Sequence, residues 1–305
     1  MAMEDPQEPL TGVGKTALGM ALVRAEESRR SDRLFNDPYA EAFLAAVPDA
    51  FGEEQEVSPE QASLAAVFFF HGVVRTRFFD DYLMEASAHG CHQVVLLAAG
   101  LDTRSFRLAW PPGVRSFELD RPDVLEVKDR VLSKEGAVPR CSERIVLAVD
   151  LRDDWTPRLM EAGFQPTTST AWLLEGLMAY LSAREAAHLL STVGELSAPG
   201  SQLAFEDGSG ADASLLGGAR QLPDMNEFTS LWKGGLGEDA PKWLAKHGWR
   251  TTVHERVALA ASYGRPVPTG AAGRFLTAVR GTPDRDLGFE GRGLLRDDGP
   301  EDRLE

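Results

Sequence analysis

The stretch Val94-Val-Leu-Leu-Ala-Ala-Gly-Leu-Asp-Thr-Arg104 decides how this chain folds, together with Asp120 in Ser116-Phe-Glu-Leu-Asp-Arg-Pro122, sixteen residues beyond Arg104. A short, wholly apolar run that breaks at a glycine and then turns polar reads as a buried strand whose carboxyl end opens into a ligand-binding turn. An acid closing the next apolar run can accept hydrogen bonds from the two hydroxyls of a ribose. Strand, glycine turn, helix, strand and acid outline a nucleoside-binding α/β domain.

Working outward, apolar runs recur near 93–98, 114–119, 144–149, 170–176 and 201–206, with helical patterns near 121–134, 153–162 and 182–197 between them. Alternating strands and helices predict βαβ units and a mostly parallel sheet. Gly248-Trp249 to Val257 and Arg274 to Val279 read as last strands. Upstream the pattern is helical: Thr11 to about Arg30, Tyr39 to Val47 after Asn36-Asp37-Pro38, and a long run to about Ala88 that starts at Ser58-Pro59-Glu60-Gln61. The expected organisation is an N-terminal helical cap over 1–90 and an α/β domain over 91–280. A glycine-rich lid insertion with two short helical pieces is expected over 208–245, and a disordered acidic tail over 281–305.

Composition narrows the function. The apolar share of 43% and charged share of 26% are those of a soluble globular protein. A net charge of −15 argues against nucleic acid as a partner. Cys91 and Cys141 alone make neither a disulfide framework nor a four-ligand zinc site, so no metal is expected. No 18-residue apolar span is read and the start lacks a signal-peptide layout, so no membrane partner and a cytoplasmic location are expected. The oligomeric state is left open. Gly12-Val-Gly-Lys-Thr16 is not a phosphate loop: Pro9 stands where its first glycine should be, and no buried strand precedes it.

The strand ends carry the chemistry. The first ends at Gly100, where a missing side chain lets a ligand approach the backbone. The second ends at Asp120, the third at Val149-Asp150-Leu151 and the fourth at Glu175-Gly176-Leu177. In an open parallel sheet ligands bind outside the carboxyl ends of the strands, so these positions converge on one crevice. Asp120 and Asp150 could instead cap the following helices, and Glu175 could be a structural ion-pair partner. A dinucleotide enzyme would want Gly-x-Gly-x-x-Gly in the first turn; here a single glycine precedes Asp102-Thr103-Arg104. The turn therefore favours a ligand with ribose and base but no diphosphate, and S-adenosylmethionine fits.

The chain resembles the leucine carboxyl methyltransferase family, in its actinobacterial branch of S-adenosylmethionine-dependent O-methyltransferases. The resemblance runs over roughly 11–280. It rests on Thr16-Ala-Leu-Gly-Met-Ala-Leu-Val-Arg-Ala-Glu26, Asn36-Asp-Pro-Tyr-Ala40, Arg75-Thr-Arg-Phe-Phe-Asp-Asp-Tyr82, Ala99-Gly-Leu-Asp-Thr-Arg104, Phe117-Glu-Leu-Asp-Arg-Pro-Asp-Val124, Val149-Asp-Leu151 and Trp172-Leu-Leu-Glu-Gly-Leu-Met178, with late matches at Gly248-Trp249 and Tyr263-Gly-Arg265. It implies a Rossmann-like class I methyltransferase with an N-terminal helical extension and a helical lid. It further implies Arg24 and Arg75 at the methionine carboxylate, Gly100 beside the methionine moiety, Asp120 at the ribose, Asp150 with Leu151 at the adenine, and Glu175 near the amino group. Ala98 departs from the pattern by standing where many relatives have glycine.

The expected reaction moves a methyl group to a carboxylate or a phenolic or hydroxyl oxygen of a small, natural-product-like acceptor. The alternatives are a catalytically silent nucleoside-binding protein and a carboxyl methyltransferase acting on a protein C-terminus. A carboxylate acceptor needs no general base, whereas a phenol benefits from one. No catalytic residue is assigned: His71 reads as packed, and His188 and His247 as surface positions. The acceptor pocket is expected between the N-terminal helices and 208–245. Phe68, Phe69, Phe70, Phe78, Phe79, Met225, Phe228 and Trp232 would either line it or belong to the core.

Overall fold

The computed structural model describes residues 13–47, 58–207, 232–236 and 239–282. Among the described residues three helices precede the first strand: α1 (Val13–Arg29), α2 (Ala40–Ala46) and α3 (Pro59–Ala88). Then follow β1 (Gln93–Leu97), α4 (Arg104–Arg107), β2 (Arg115–Asp120), α5 (Pro122–Lys134), β3 (Glu143–Ala148), α6 (Thr156–Glu161) and β4 (Thr170–Leu174). The chain continues through α7 (Ala183–Glu195), β5 (Gln202–Asp207), α8 (Ala240–Lys246), β6 (Trp249–Glu255), α9 (Arg256–Ser262) and β7 (Arg274–Arg280). The seven strands form one sheet in the order β3-β2-β1-β4-β5-β7-β6. The first five are parallel, and β7 runs antiparallel to both β5 and β6. The strand order reverses between β1 and β4, which opens a crevice at their carboxyl ends.

Burial on both faces explains the unbroken apolar strands. Along β1, Val95 and Leu97 enter one core with Phe117, Trp172, Leu174, Leu190 and Phe205. Val94 and Leu96 enter the other, beneath Phe70, Val74, Phe79, Leu83 and Phe275. Successive side chains on a strand point to opposite faces, so each apolar run supplies both cores.

Helix α3 covers that second face. Ser58 caps it: its hydroxyl accepts from Gln61 N–H while the Gln61 side chain accepts from Ser58 N–H, with proline in the first turn. Phe70, Phe78 and Phe79 are buried in the core, where Phe78 stacks on Phe275 with ring centroids 4.9 Å apart. By length and composition α3 is apolar enough to cross a membrane, contrary to the sequence expectation, but half of its most apolar window is buried in the protein. The close crossing of α1 and α3 depends on Gly72: a Cβ there would lie 2.9 Å from both Met20 and Val23.

Two further boundaries differ from expectation. Strand β6 stops at Glu255 rather than Val257, and the alanine-rich Arg256-Val-Ala-Leu-Ala-Ala261 forms α9. The fourth strand stops at Leu174 because Gly176 turns the chain with φ of 68°. Of the expected lid, 208–231 and 237–238 lie outside the described residues, as do Met225 and Phe228, and so does the tail from 283 onward. Residues 232–236 rest on the short 3-10 helix Met178–Tyr180 that follows β4: Lys233 N–H donates to Ala179 O, and a Cβ on Gly235 would sit 3.0 Å from Met178 O.

Candidate active site

The turn after β1 is built from backbone rather than charge. Ala98 takes a left-handed φ of 57° and Gly100 one of 46°. Gly100 N–H donates to Asp120 Oδ2 at 2.6 Å, and Arg121 N–H donates to Asp120 Oδ1 at 2.7 Å. Asp120 therefore does not cap α5; its carboxylate joins the end of β2 to the β1 turn. Burial pushes its carboxyl above the usual range, opposed by those two N–H donors.

Arg24 reaches this turn from α1. Its Nη2 donates to Leu101 O at 2.8 Å and its Nε to Asp37 Oδ2 at 2.7 Å. Thr103 Oγ donates to the same carboxylate oxygen at 2.8 Å, and Tyr39 N–H donates to its other oxygen at 3.1 Å. Asn36-Asp37-Pro38 thus fastens α1 to the cofactor turn. The α1 start lies close by, since Tyr180 Oη donates to Thr16 Oγ at 3.2 Å and a Cβ on Gly100 would be 3.7 Å from that of Ala17.

A buried ion network fills the β4–β5 side. Arg75 Nε lies 3.0 Å from Glu175 Oε1, and its Nη1 donates to Glu206 Oε1 at 2.5 Å. Glu206 Oε2 in turn accepts from Gly176 N–H at 2.8 Å. Arg104 Nη1 donates to Glu175 and Asp102, each at 2.5 Å, and its Nε to Asp80 at 2.7 Å. Arg107 completes the set with two bonds to Asp80. Burial pushes Asp102 up, but Arg104 and Lys128 outweigh it and hold its carboxyl at about 2. Burial raises Glu206, aided by neighbouring Glu175 and opposed by Arg75.

Asp150 is at the rim. Its carboxylate accepts from Arg152 N–H and Nε, both at 2.9 Å, and that partner holds its pKa at about 2. The helix it was considered to cap starts only at Thr156, behind Trp155. Leu151 is half-buried against the core that contains Leu147 and Trp155.

The structure thus brings Gly100, Asp120, Glu175 and Arg75 to the carboxyl ends of β1, β2, β4 and the facing helix, with Asp150 and Leu151 after β3. It engages Arg24 with the turn and Arg75 with two acids. Sequence reasoning missed Glu206 and Arg104. The signal for Glu206 was present: an acid ends the apolar run Leu203-Ala-Phe205, as Glu175 ends Trp172-Leu-Leu174. Of the histidines, His188 and His247 are exposed. His71 is half-buried against Phe275, and burial, with Arg256 and Arg75 nearby, pushes its imidazole well below the usual range.

Among the described residues no group of three or more His, Cys, Asp or Glu side chains is arranged to hold a metal ion.

The profile of the leucine carboxyl methyltransferase family matches residues 17–194. The chain belongs to the leucine carboxyl methyltransferase family. It is 51% identical over 282 residues to a protein of Frankia alni assigned as an S-adenosyl-L-methionine-dependent methyltransferase, covering 92% of this chain and 98% of that one. A Parafrankia sp. protein with the same assignment is 48% identical over 272 residues, covering 88% and 87%. Among solved structures, a DUF574 family protein from Streptomyces avermitilis shares the fold with a TM-score of 0.53 at 15% identity, over 85% of this chain and 99% of that one. This leucine carboxyl methyltransferase relative is therefore an S-adenosylmethionine-dependent methyltransferase of the Rossmann-like class I fold. Arg24, Arg75, Gly100, Asp120, Asp150, Leu151 and Glu175 all fall within the matched span; Glu206 lies outside it.

Proposed function

We propose that this enzyme methylates an oxygen of a small, natural-product-like acceptor, with a phenolic or hydroxyl oxygen fitting better than a carboxylate. The observation that carries this is the acid excess beside the crevice. Among the described residues the ion pairs of Asp80, Asp102, Glu175 and Glu206 are made with Arg75, Arg104 and Arg107, while Lys128, which also acts on Asp102, is paired with Glu118. A site with surplus negative charge disfavours a second anion. The net charge of −15 acts in the same sense against an acidic protein tail as substrate.

S-adenosylmethionine supplies an electrophilic methyl group on a sulfonium. The residues present fit it by donor type. Asp120, held by two N–H groups, offers its carboxylate to ribose hydroxyls, and Asp150 with Leu151 fits the adenine edge and face. Arg75 suits the methionine carboxylate and Glu175 the ammonium group. Arg24 contributes by holding Leu101 O and Asp37, which sets the shape of the turn. The protein's contribution to the displacement is alignment of the acceptor oxygen and exclusion of water, and orientation alone is worth on the order of 7–11 kcal/mol. We place the lid over 208–245 and the reaction in the cytoplasm.

Methyl-labelled S-adenosylmethionine, incubated with the enzyme and a panel of phenols, alcohols and carboxylic acids, tests this reading. Label should enter phenols or alcohols as ethers stable to mild alkali. Label released by alkali as methanol would identify an ester and a carboxylate acceptor instead.

A further inference from the structure

Glu206 stands outside the family-matched span and is assigned no moiety of the cofactor above, yet it is the residue that ties the β4–β5 side together. It is 8% exposed, at the end of β5, where its two oxygens take different partners. One accepts from Arg75 Nη1 and the other from the N–H of Gly176, the residue after Glu175. Arg75 reaches it across 131 residues of chain. A single carboxylate therefore sets the pose of the guanidinium from α3 and the path of the turn after β4.

Glu206 also decides the charge of the network. Among the described residues the ion pairs join Arg75, Arg104 and Arg107 to Asp80, Asp102, Glu175 and Glu206, three cations against four anions, and Lys128, which also acts on Asp102, is matched by Glu118. Without Glu206 the count is even. A buried unmatched carboxylate is costly to an empty site and favourable to a site that receives a cation. The two ligands that alternate in this crevice differ by one positive charge: S-adenosylmethionine carries a sulfonium, and S-adenosylhomocysteine, left after transfer, carries a neutral thioether.

We propose that Glu206 is a positioning residue that makes the crevice select the cationic cofactor over the neutral product, so that transfer itself weakens the hold on what remains. This rests on the placement of the methionine end at Arg75 and Glu175. The Glu206 charge acts through Arg75 and the low-dielectric floor, and the residue transfers no proton.

The test is calorimetric titration of the full-length enzyme with S-adenosylmethionine, S-adenosylhomocysteine and an analogue bearing an amine in place of the sulfonium. In the wild type both cationic ligands should bind at least about tenfold tighter than S-adenosylhomocysteine; equal affinities would overturn the proposal without any variant. Glu206→Gln keeps the shape and an acceptor for Gly176 N–H but removes the charge. It should weaken the cationic ligands about tenfold and leave S-adenosylhomocysteine within about twofold. Glu206→Asp, which keeps the charge, should retain the preference at lower overall affinity. A Glu206→Gln enzyme that loses all three ligands equally, or none, shows a structural role only and sinks the idea. Asp120→Ala separates the two readings, because a ribose contact is common to all three ligands and its loss should weaken all of them alike. If Asp120→Ala changes nothing, it is the placement of the cofactor that fails.

Discussion

The two sides of the crevice hold their carboxylates by different means. On the β1–β2 side Asp120 is gripped by two backbone N–H groups, from Gly100 and Arg121. On the β4–β5 side Glu175 and Glu206 are gripped by side chains, chiefly Arg75 and Arg104. A backbone grip needs only a short turn and tolerates no variation in its geometry. A guanidinium grip spans long stretches of chain and lets the charge of the site be adjusted one residue at a time. On the proposed placement the first holds the ribose, common to cofactor and product, and the second sets the charge around the methionine end.

That contrast can be broken from either side. The largest effect is expected for Asp120→Ala, which removes the acceptor for Gly100 N–H and, on the proposed placement, the acceptor for ribose. Cofactor affinity should fall more than about 100-fold by calorimetry, and the loss of the acceptor for Gly100 N–H should cost about 1–3 kcal/mol of stability. Arg104→Met should act chiefly on stability. Arg104 is 3% exposed and faces Asp80, Asp102 and Glu175, so its loss leaves buried carboxylates uncompensated. Denaturant unfolding should show a loss of about 3–5 kcal/mol.

A smaller effect tests the charged side alone. Asp102 titrates at about 2 in the folded protein, below the ordinary value of about 3.9 for the unfolded chain. A depressed carboxylate adds stability that is present above the unfolded value and lost as pH falls through the folded one. Denaturant midpoints should therefore drop between about pH 4 and pH 2, and Asp102→Asn should flatten that fall. The smallest effect belongs to the backbone side. Ala98 pays for its φ of 57°, so Ala98→Gly should stabilise the protein by about 0.5–1 kcal/mol in the same assay, leaving cofactor affinity within about twofold.

The same contrast explains what could be read from sequence. Gly100, in the turn after β1, and Asp120, at the end of β2, stand twenty residues apart, and a break in an apolar run marks each of them. The helix start at Ser58 and the apolar strands were legible for the same reason, since local pattern and burial agree there. Arg104 was quoted as part of the turn, but its partners Asp80 and Glu175 lie 24 and 71 residues away, and spacing carries no trace of such pairs. Arg75 reads from the sequence as a partner for the methionine carboxylate or for a structural ion pair, and only the fold shows that acids from β4 and β5 meet it. The phenylalanines of α3 have the same pattern whether they line a pocket or fill a core. Only Phe275, arriving from β7, decides between these for Phe78 and Phe79. Helix α9 was missed because Val253 to Val257 alternate well enough for a strand, and the chain's departure from the sheet at Arg256 reflects a side chain that reaches back to Ala272 O.

Arg24 joins α1 to Leu101 across 77 residues. Helix α1 precedes β1 and β2 in the chain, yet the turn it steadies is built from the ends of both strands. The crevice should therefore mature late, after the sheet has formed, when the N-terminal helix docks onto it. Helix and turn should then open together in the native state, and a bound cofactor should slow amide exchange in α1 as well as at Gly100.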